Sequence, residues 1–226
     1  MITEDIYIIK ITSYRESSNL YDVIAKNHGK LTLIHKGIKK NNKRNSLELF
    51  VSYKVSWSGK SNIKFLRDYE ILESPKLSPN LNVIGLYFNE LIYYLTQNDY
   101  YIEKLYDHYN SSIKSIINSK NILVSLNNYE IGLLLLTGHY IIFDVNIDGE
   151  PVNIDSNYKY VPDFGPKLCK SKNEGYSGKT LLALSGKYAY DAMTIKESRV
   201  LMKRLIDYYI QPKKIRTREI LKYISL

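Results

Sequence analysis

The sequence predicts an α+β protein in which a small closed β-barrel precedes a helical domain. Five short segments of alternating side chains occupy about the first 75 residues, and the apolar spacing becomes helical after Ser78-Pro79. Hydrophobic residues make up 44% of the 226-residue chain, which is enough to bury a sizeable core. We therefore expect a barrel domain at residues 1–76 and a helical domain at 77–226, with an irregular segment at 144–178.

The barrel prediction depends on β-rich runs separated by turn residues. The Asn27-His-Gly29 turn lies between two such runs, which is a hairpin signal, and Ser58-Gly-Lys-Ser61 marks a later turn. The predicted strands are residues 6–12, 21–25, 30–35, 50–57 and 62–72.

The helical prediction begins where Ser78 can cap a helix with Pro79 at its first position. Apolar spacing then predicts helices at 81–95, 100–117 and 125–137, the last ending at Gly138. Glycines and prolines interrupt residues 144–178, and Ser177 is a candidate cap for the next helix. Thr194-Ile-Lys-Glu197 has capping-box spacing and predicts a helix to Ile210, before Pro212 and a last helix at 217–223.

The chain contains 32 Lys and Arg residues and 23 Asp and Glu residues, so its formal net charge is +9. Such a surplus favours a polyanionic partner: nucleic acid, an anionic membrane face or an acidic protein tail. A charge that serves only solubility remains an alternative.

Two basic regions are candidates for binding phosphates. No acid lies between Lys26 and Arg44, and the run that begins at Lys36 is typical of a flexible barrel loop; the C-terminal region is also rich in Lys and Arg. A solvated linker and an ordinary helix surface are the respective alternatives. The candidate DNA-binding residues are Lys30, Lys36, Lys39, Lys40, Lys43, Arg44, Arg199, Lys203, Arg204, Lys214, Arg216 and Arg218. Four barrel aromatics are candidates for stacking on bases or for the core: Tyr53, Trp57, Phe65 and Tyr69.

Motifs for catalysis, nucleotides or metals are incomplete. Gly59-Lys-Ser61 and Gly178-Lys-Thr180 lack the first glycine of a phosphate loop, and no two histidines stand at metal-binding spacing. Ser177 lacks a nucleophile elbow, and the acids of residues 144–155 are best interpreted as solvated. We expect no enzymatic activity, no catalytic residue, no metal and no cofactor.

The compartment is predicted to be the cytoplasm, in association with the nucleoid. Cys169 is the one cysteine, so no intrachain disulfide can form. The first residues carry acids where a signal peptide needs basic residues, and no apolar run approaches the roughly 20 residues that span a membrane.

Several blocks of sequence, in order along the chain, resemble the RecO family of bacterial recombination mediators. The first two are Ser13-Tyr-Arg-Glu-Ser-Ser-Asn-Leu20 and His28-Gly-Lys-Leu-Thr-Leu-Ile-His-Lys-Gly37 with Lys39 and Lys40. Tyr87-Phe-Asn-Glu-Leu91 is similar to a helical signature, and Asn128-Tyr-Glu-Ile-Gly-Leu-Leu-Leu135 followed by Gly138 to another. Lys214-Ile-Arg-Thr-Arg-Glu-Ile-Leu221 resembles the family's terminal element.

The resemblance implies an OB-fold barrel, binding of single- and double-stranded DNA, and annealing of complementary strands. It also implies work with RecR to load RecA onto DNA covered by single-strand-binding protein (SSB), whose acidic C-terminal tail docks on the helical domain. Arg15 joins the DNA-binding candidates by this resemblance. Many members carry a four-cysteine zinc module; this chain resembles the zinc-free members, and Asn128 replaces a usual basic residue. Two other functions stay open: an adaptor that binds acidic tails but not DNA, and a nuclease.

Overall fold

The computed structural model describes residues 1–37, 46–97, 101–171 and 174–223. The chain forms two compact units. One comprises Met1–Ile117 with the C-terminal segment that begins at Ile215, and the other comprises Asn118–Lys214. The functional division into domains at residue 76 stays a prediction.

The first unit contains the predicted barrel. Its strands are β1 (Ile2–Tyr14), β2 (Ser18–Ala25), β3 (Gly29–Lys36), β4 (Ser52–Ser58) and β5 (Ile63–Glu73). They close in the order β1-β2-β3-β5-β4, with β1 antiparallel to β4 and β3 parallel to β5. This five-stranded closed arrangement confirms the OB-fold prediction.

Two of the four aromatic residues that were candidates for base stacking are buried in the barrel core. Tyr53 and Trp57 are 3% and 1% exposed within the core cluster, so the stacking hypothesis is wrong for both. Tyr69 packs against the same cluster. Phe65 lies outside that cluster and is half-buried.

The first unit also contains three helices: α1 (Pro79–Leu95), α2 (Leu105–Asn118) and α6 (Thr217–Leu221). The Ser78 cap of α1 is confirmed, since its hydroxyl accepts a hydrogen bond from the Leu81 N–H. The predicted start of α2 is five residues too early, because Lys104 adopts a left-handed backbone (φ 65°) just before the helix. Gly85 lets α1 approach Phe50, since a Cβ there would lie 2.5 Å from the ring.

The second unit contains α3 (Ile122–Leu136), α4 (Gly178–Leu184) and α5 (Ala192–Ile210). Helix α3 begins before the predicted residue 125, because the Asn121 side chain accepts from the N–H groups of the first turn. The Ser177 cap of α4 is confirmed. The predicted capping box of α5 is wrong by one turn: Asp191 and Thr194 form it.

Residues 144–178 are more regular than predicted. They contain β6 (Asn157–Val161), β7 (Gly165–Leu168) and β8 (Tyr176–Ser177), in the order β7-β6-β8. Pro162 lies between β6 and β7 and Gly175 precedes β8, whereas Gly165 and Pro166 are part of β7. Before the sheet, the Asn146 Oδ1 atom closes a turn by accepting from the N–H groups of Asp148 and Glu150, each at 2.9 Å. Within the described ranges, no three His, Cys, Asp or Glu side chains are grouped as a metal site.

Across the described residues, no helix has both the length and the apolar character needed to cross a bilayer.

Candidate nucleic-acid interface

An aromatic ring between two cations lies where β3 and β5 run side by side. Ile34 of β3 pairs with Phe65 of β5, so Lys36 at the end of β3 lies close to that ring. The Lys36 ammonium is 4.7 Å from the ring centroid of Phe65, and the Arg67 guanidinium is 5.6 Å from it. Both cations are exposed, so phosphates can reach them.

A β-bulge directs Arg67 away from the barrel interior. Ser56 pairs with Asp68 and Trp57 with Leu66, so Arg67 is an extra residue of β5 with no partner on β4. The Arg67 Nε donates a hydrogen bond of 2.7 Å to the Ser58 hydroxyl. The guanidinium is therefore held in place on the barrel surface.

The neighbouring turns add further positive charge. Lys64 donates to the Ser61 carbonyl at 3.3 Å in the β4–β5 turn, and Arg15 occupies the β1–β2 turn beside Tyr14. In OB-folds, the face of strands 2 and 3 and these two loops bind oligonucleotides. We call Arg15, Lys36, Lys64, Phe65 and Arg67 the barrel patch.

Four of the predicted DNA-binding residues lie outside the described residues: Lys39, Lys40, Lys43 and Arg44. They follow Lys36 closely in sequence, so the chain enters this basic segment from the barrel patch. Their contribution stays a prediction.

Lys30 does not belong with the exposed cations. It is 4% exposed, and its ammonium donates to the carbonyls of Tyr93 at 3.3 Å and Thr96 at 2.6 Å. These carbonyls lie at the C-terminal end of α1, where a cation offsets the helix dipole. We therefore withdraw Lys30 as a DNA contact and assign it to holding α1.

The Arg199 side chain is also bound to other residues of the protein. Its guanidinium forms two hydrogen bonds to the Glu130 carboxylate, at 2.7 and 2.9 Å, and one to the Asn127 side chain at 2.8 Å. Glu130 and Asn127 are 0% exposed. Because this pair joins α3 to α5, we withdraw Arg199 as a DNA contact too.

Lys203 and Arg204 are exposed on α5. Arg204 lines two adjoining cavities of about 710 and 680 Å³, and Lys203 lines the second. The cavities share Pro162, Val200 and Arg204. Val200 is 57% exposed, so this groove combines apolar surface with positive charge. Lys214 is exposed at the end of the same unit.

Comparison with known proteins identifies the family of this chain. Residues 1–75 match the family described as the recombination protein O N-terminal domain. The DNA repair protein RecO of Coxiella burnetii is 30% identical over 224 residues, covering 96% of each chain. The chain belongs to the RecO family. The RecO of Polynucleobacter asymbioticus is 33% identical, covering 96% of this chain and 94% of the relative. This membership gives the chain a role in DNA repair.

Within the first unit, the helical signature at residues 87–91 contacts residues 215–221 of the RecO family's terminal element. Glu90 accepts hydrogen bonds from the N–H groups of Arg216 and Thr217 and from the Thr217 hydroxyl, at 2.7 to 2.9 Å. The Arg218 guanidinium lies 5.7 Å from the ring centroid of Tyr87. The helical signature thus anchors the terminal element. Arg218 is half-buried and contacts Tyr87, whereas Arg216 is exposed.

Sequence reasoning missed Lys64 and Arg67 as members of this candidate interface. Their one local signal is position, since both follow the Ser58–Ser61 turn on a strand with an exposed face. The proximity of Lys36 to Arg67 comes from the parallel β3–β5 pair, which joins strands distant in sequence.

Proposed function

We propose that the barrel patch binds DNA through its phosphates, independently of base sequence. The observation that carries this proposal is the exposed Lys36–Phe65–Arg67 cluster on an OB-fold, at the start of the basic segment. Cations at such a surface release counterions when they neutralise phosphates, which favours binding at low salt. Both single- and double-stranded DNA present this backbone.

The proposed cellular role is that of a recombination mediator. The protein would anneal complementary strands, because neutralised backbones repel each other less while the bases stay free to pair. With RecR it would help RecA to load onto single strands covered by SSB, in the nucleoid-associated cytoplasm. Family membership and the barrel patch support this role, which requires no covalent catalysis.

Salt-dependent titration of single-stranded DNA tests the binding site. Reversing charge in Lys36→Glu/Arg67→Glu should weaken binding more than tenfold and reduce the slope of log affinity against log salt by about 0.7 per lost contact. The matched control is Lys120→Glu, an exposed lysine of the second unit. Equal affinity of the folded patch variant and the control would refute the assignment.

The basic segment requires its own variant. Charge reversal at Lys39, Lys40 and Lys43 should weaken binding and flatten the salt dependence in the same manner. Incubation of labelled DNA with magnesium should leave it uncut; cleavage would favour the nuclease alternative.

A second candidate function is supported by the groove of α5. An acidic peptide with apolar side chains, such as the SSB tail, complements the cations Lys203 and Arg204 and the exposed Val200 and Tyr208. Arg204→Glu and Val200→Asp should each weaken binding of a fluorescent tail peptide at least tenfold. If the protein bound this peptide but failed to shift naked oligonucleotides, it would be an adaptor without DNA affinity.

A further inference from the structure

We infer that Phe65 is a stacking site for one unpaired nucleobase, which gives the barrel patch a preference for single-stranded over duplex DNA. The inference rests on the proposed DNA binding of the patch. It adds a contact to the base, whereas the cations contact the backbone.

The Phe65 ring stands on a paired strand of the barrel, beside the β4–β5 turn. Gly59 of that turn is a neighbour of the ring, since a Cβ at Gly59 would lie 3.5 Å from the ring's Cδ2. Backbone pairing with Ile34 and Ser58 fixes the strand on which the ring stands. The ring is partly exposed and outside the core cluster, whereas its neighbour Leu66 belongs to that cluster.

The two cations play different parts beside this ring. Arg67 is tethered to Ser58, so its guanidinium stays next to Phe65, 5.6 Å from the ring centroid. Lys36 has a flexible stem and rests 4.7 Å from the ring centroid. A phosphate attracts the Lys36 ammonium more strongly than the ring does, so an arriving strand uncovers the ring for its own base.

Strand preference follows from the accessibility of base faces. In a duplex each base is covered by its stacked neighbours, so Phe65 could be used only after unstacking. In a single strand the face is available, and every base has one, so the contact adds affinity without base specificity. Duplex DNA is left with the phosphate contacts alone.

The decisive comparison is Phe65→Leu against Phe65→Tyr, with three probes of equal length: an oligothymidylate, the same backbone without bases, and a duplex. Stacking on an aromatic side chain contributes about 1–3 kcal/mol per base, or roughly 5- to 150-fold in affinity. Phe65→Leu should weaken binding of the oligothymidylate by at least fivefold and leave the other two probes unchanged. Phe65→Tyr should bind all three probes as the wild type does.

Three outcomes would overturn the inference. Unchanged binding of the oligothymidylate by Phe65→Leu would exclude stacking, while leaving DNA binding by the patch intact. An equal loss on all three probes would show that Phe65 only supports the fold. A wild type that bound none of the probes would overturn the proposed function as well.

A measurement on the wild-type chain covers the case in which Phe65→Leu does not fold. Irradiation of a bound 5-iodouracil-substituted single strand should crosslink the base to Phe65, as located by mass spectrometry. A crosslink found exclusively elsewhere would refute the site.

Discussion

Arg199→Ala should destabilise the protein without acting through DNA binding. The guanidinium forms two hydrogen bonds to Glu130, a carboxylate with 0% exposure. Removing one partner of a buried pair costs about 3–5 kcal/mol, since the remaining charge cannot be solvated.

The expected destabilisation is therefore about 3–5 kcal/mol, and at 2–4 °C per kcal/mol the melting temperature should fall by roughly 6–20 °C. Thermal unfolding followed by circular dichroism measures this shift. The control on the same helix is Lys203→Ala, whose exposed side chain should change stability by less than about 0.5 kcal/mol. Arg199→Ala/Glu130→Gln should recover part of the loss, because no buried charge remains. An Arg199→Ala protein as stable as the Lys203→Ala control would refute the reasoning and return Arg199 to the DNA-binding candidates.

Three further predictions test the fold around these sites. Glu90→Ala removes three hydrogen bonds at the start of α6, so hydrogen exchange of the α6 amides should accelerate about 5- to 30-fold; unchanged exchange would contradict the anchoring. Gly178→Ala places a Cβ near the Asn153 carbonyl oxygen, so urea unfolding should show a loss of more than about 2 kcal/mol, and a neutral effect would disprove this close packing. Burial lowers the pKa of His35 and of His139, so the unfolded state takes up more protons and stability should fall as the pH drops below about 6.5; His35→Phe should flatten this dependence between pH 7 and 5, and an unaltered melting profile would count against it.

Local signals in the sequence predicted local structure well. Ser78 and Pro79 identified the start of α1, and Ser177 the start of α4, because a cap and its N–H partners lie within three residues. The same kind of signal failed at Glu197. Its spacing from Thr194 fits a capping box, but its carboxylate accepts from Ser177 and Thr180 instead. Spacing alone does not show which of two possible partners a side chain takes.

Burial of charge could not be predicted because it depends on contacts distant in sequence. Lys30 donates to a carbonyl 66 residues away, and Arg199 binds a carboxylate 69 residues away. Both residues were predicted to bind DNA because they lie in regions rich in Lys and Arg. Composition does not reveal a partner that lies far away in the sequence. The parallel pairing that brings Lys36 beside Phe65 is non-local for the same reason.

The group that a cation contacts shows whether the cation stabilises the fold or is available to bind DNA. The net charge of the chain does not make this distinction. An exposed cation resting on a ring, as Lys36 does on the half-buried Phe65, gives up about 0.5–1 kcal/mol when a phosphate draws it away. Arg199 would have to leave a buried carboxylate at a cost of about 3–5 kcal/mol, more than a phosphate contact returns. A surface cation that rests on a ring can therefore exchange partners with DNA, whereas a cation bound to a buried carboxylate cannot. The same comparison makes Arg15, which lies beside Tyr14, a better DNA contact than Lys30 or Arg199.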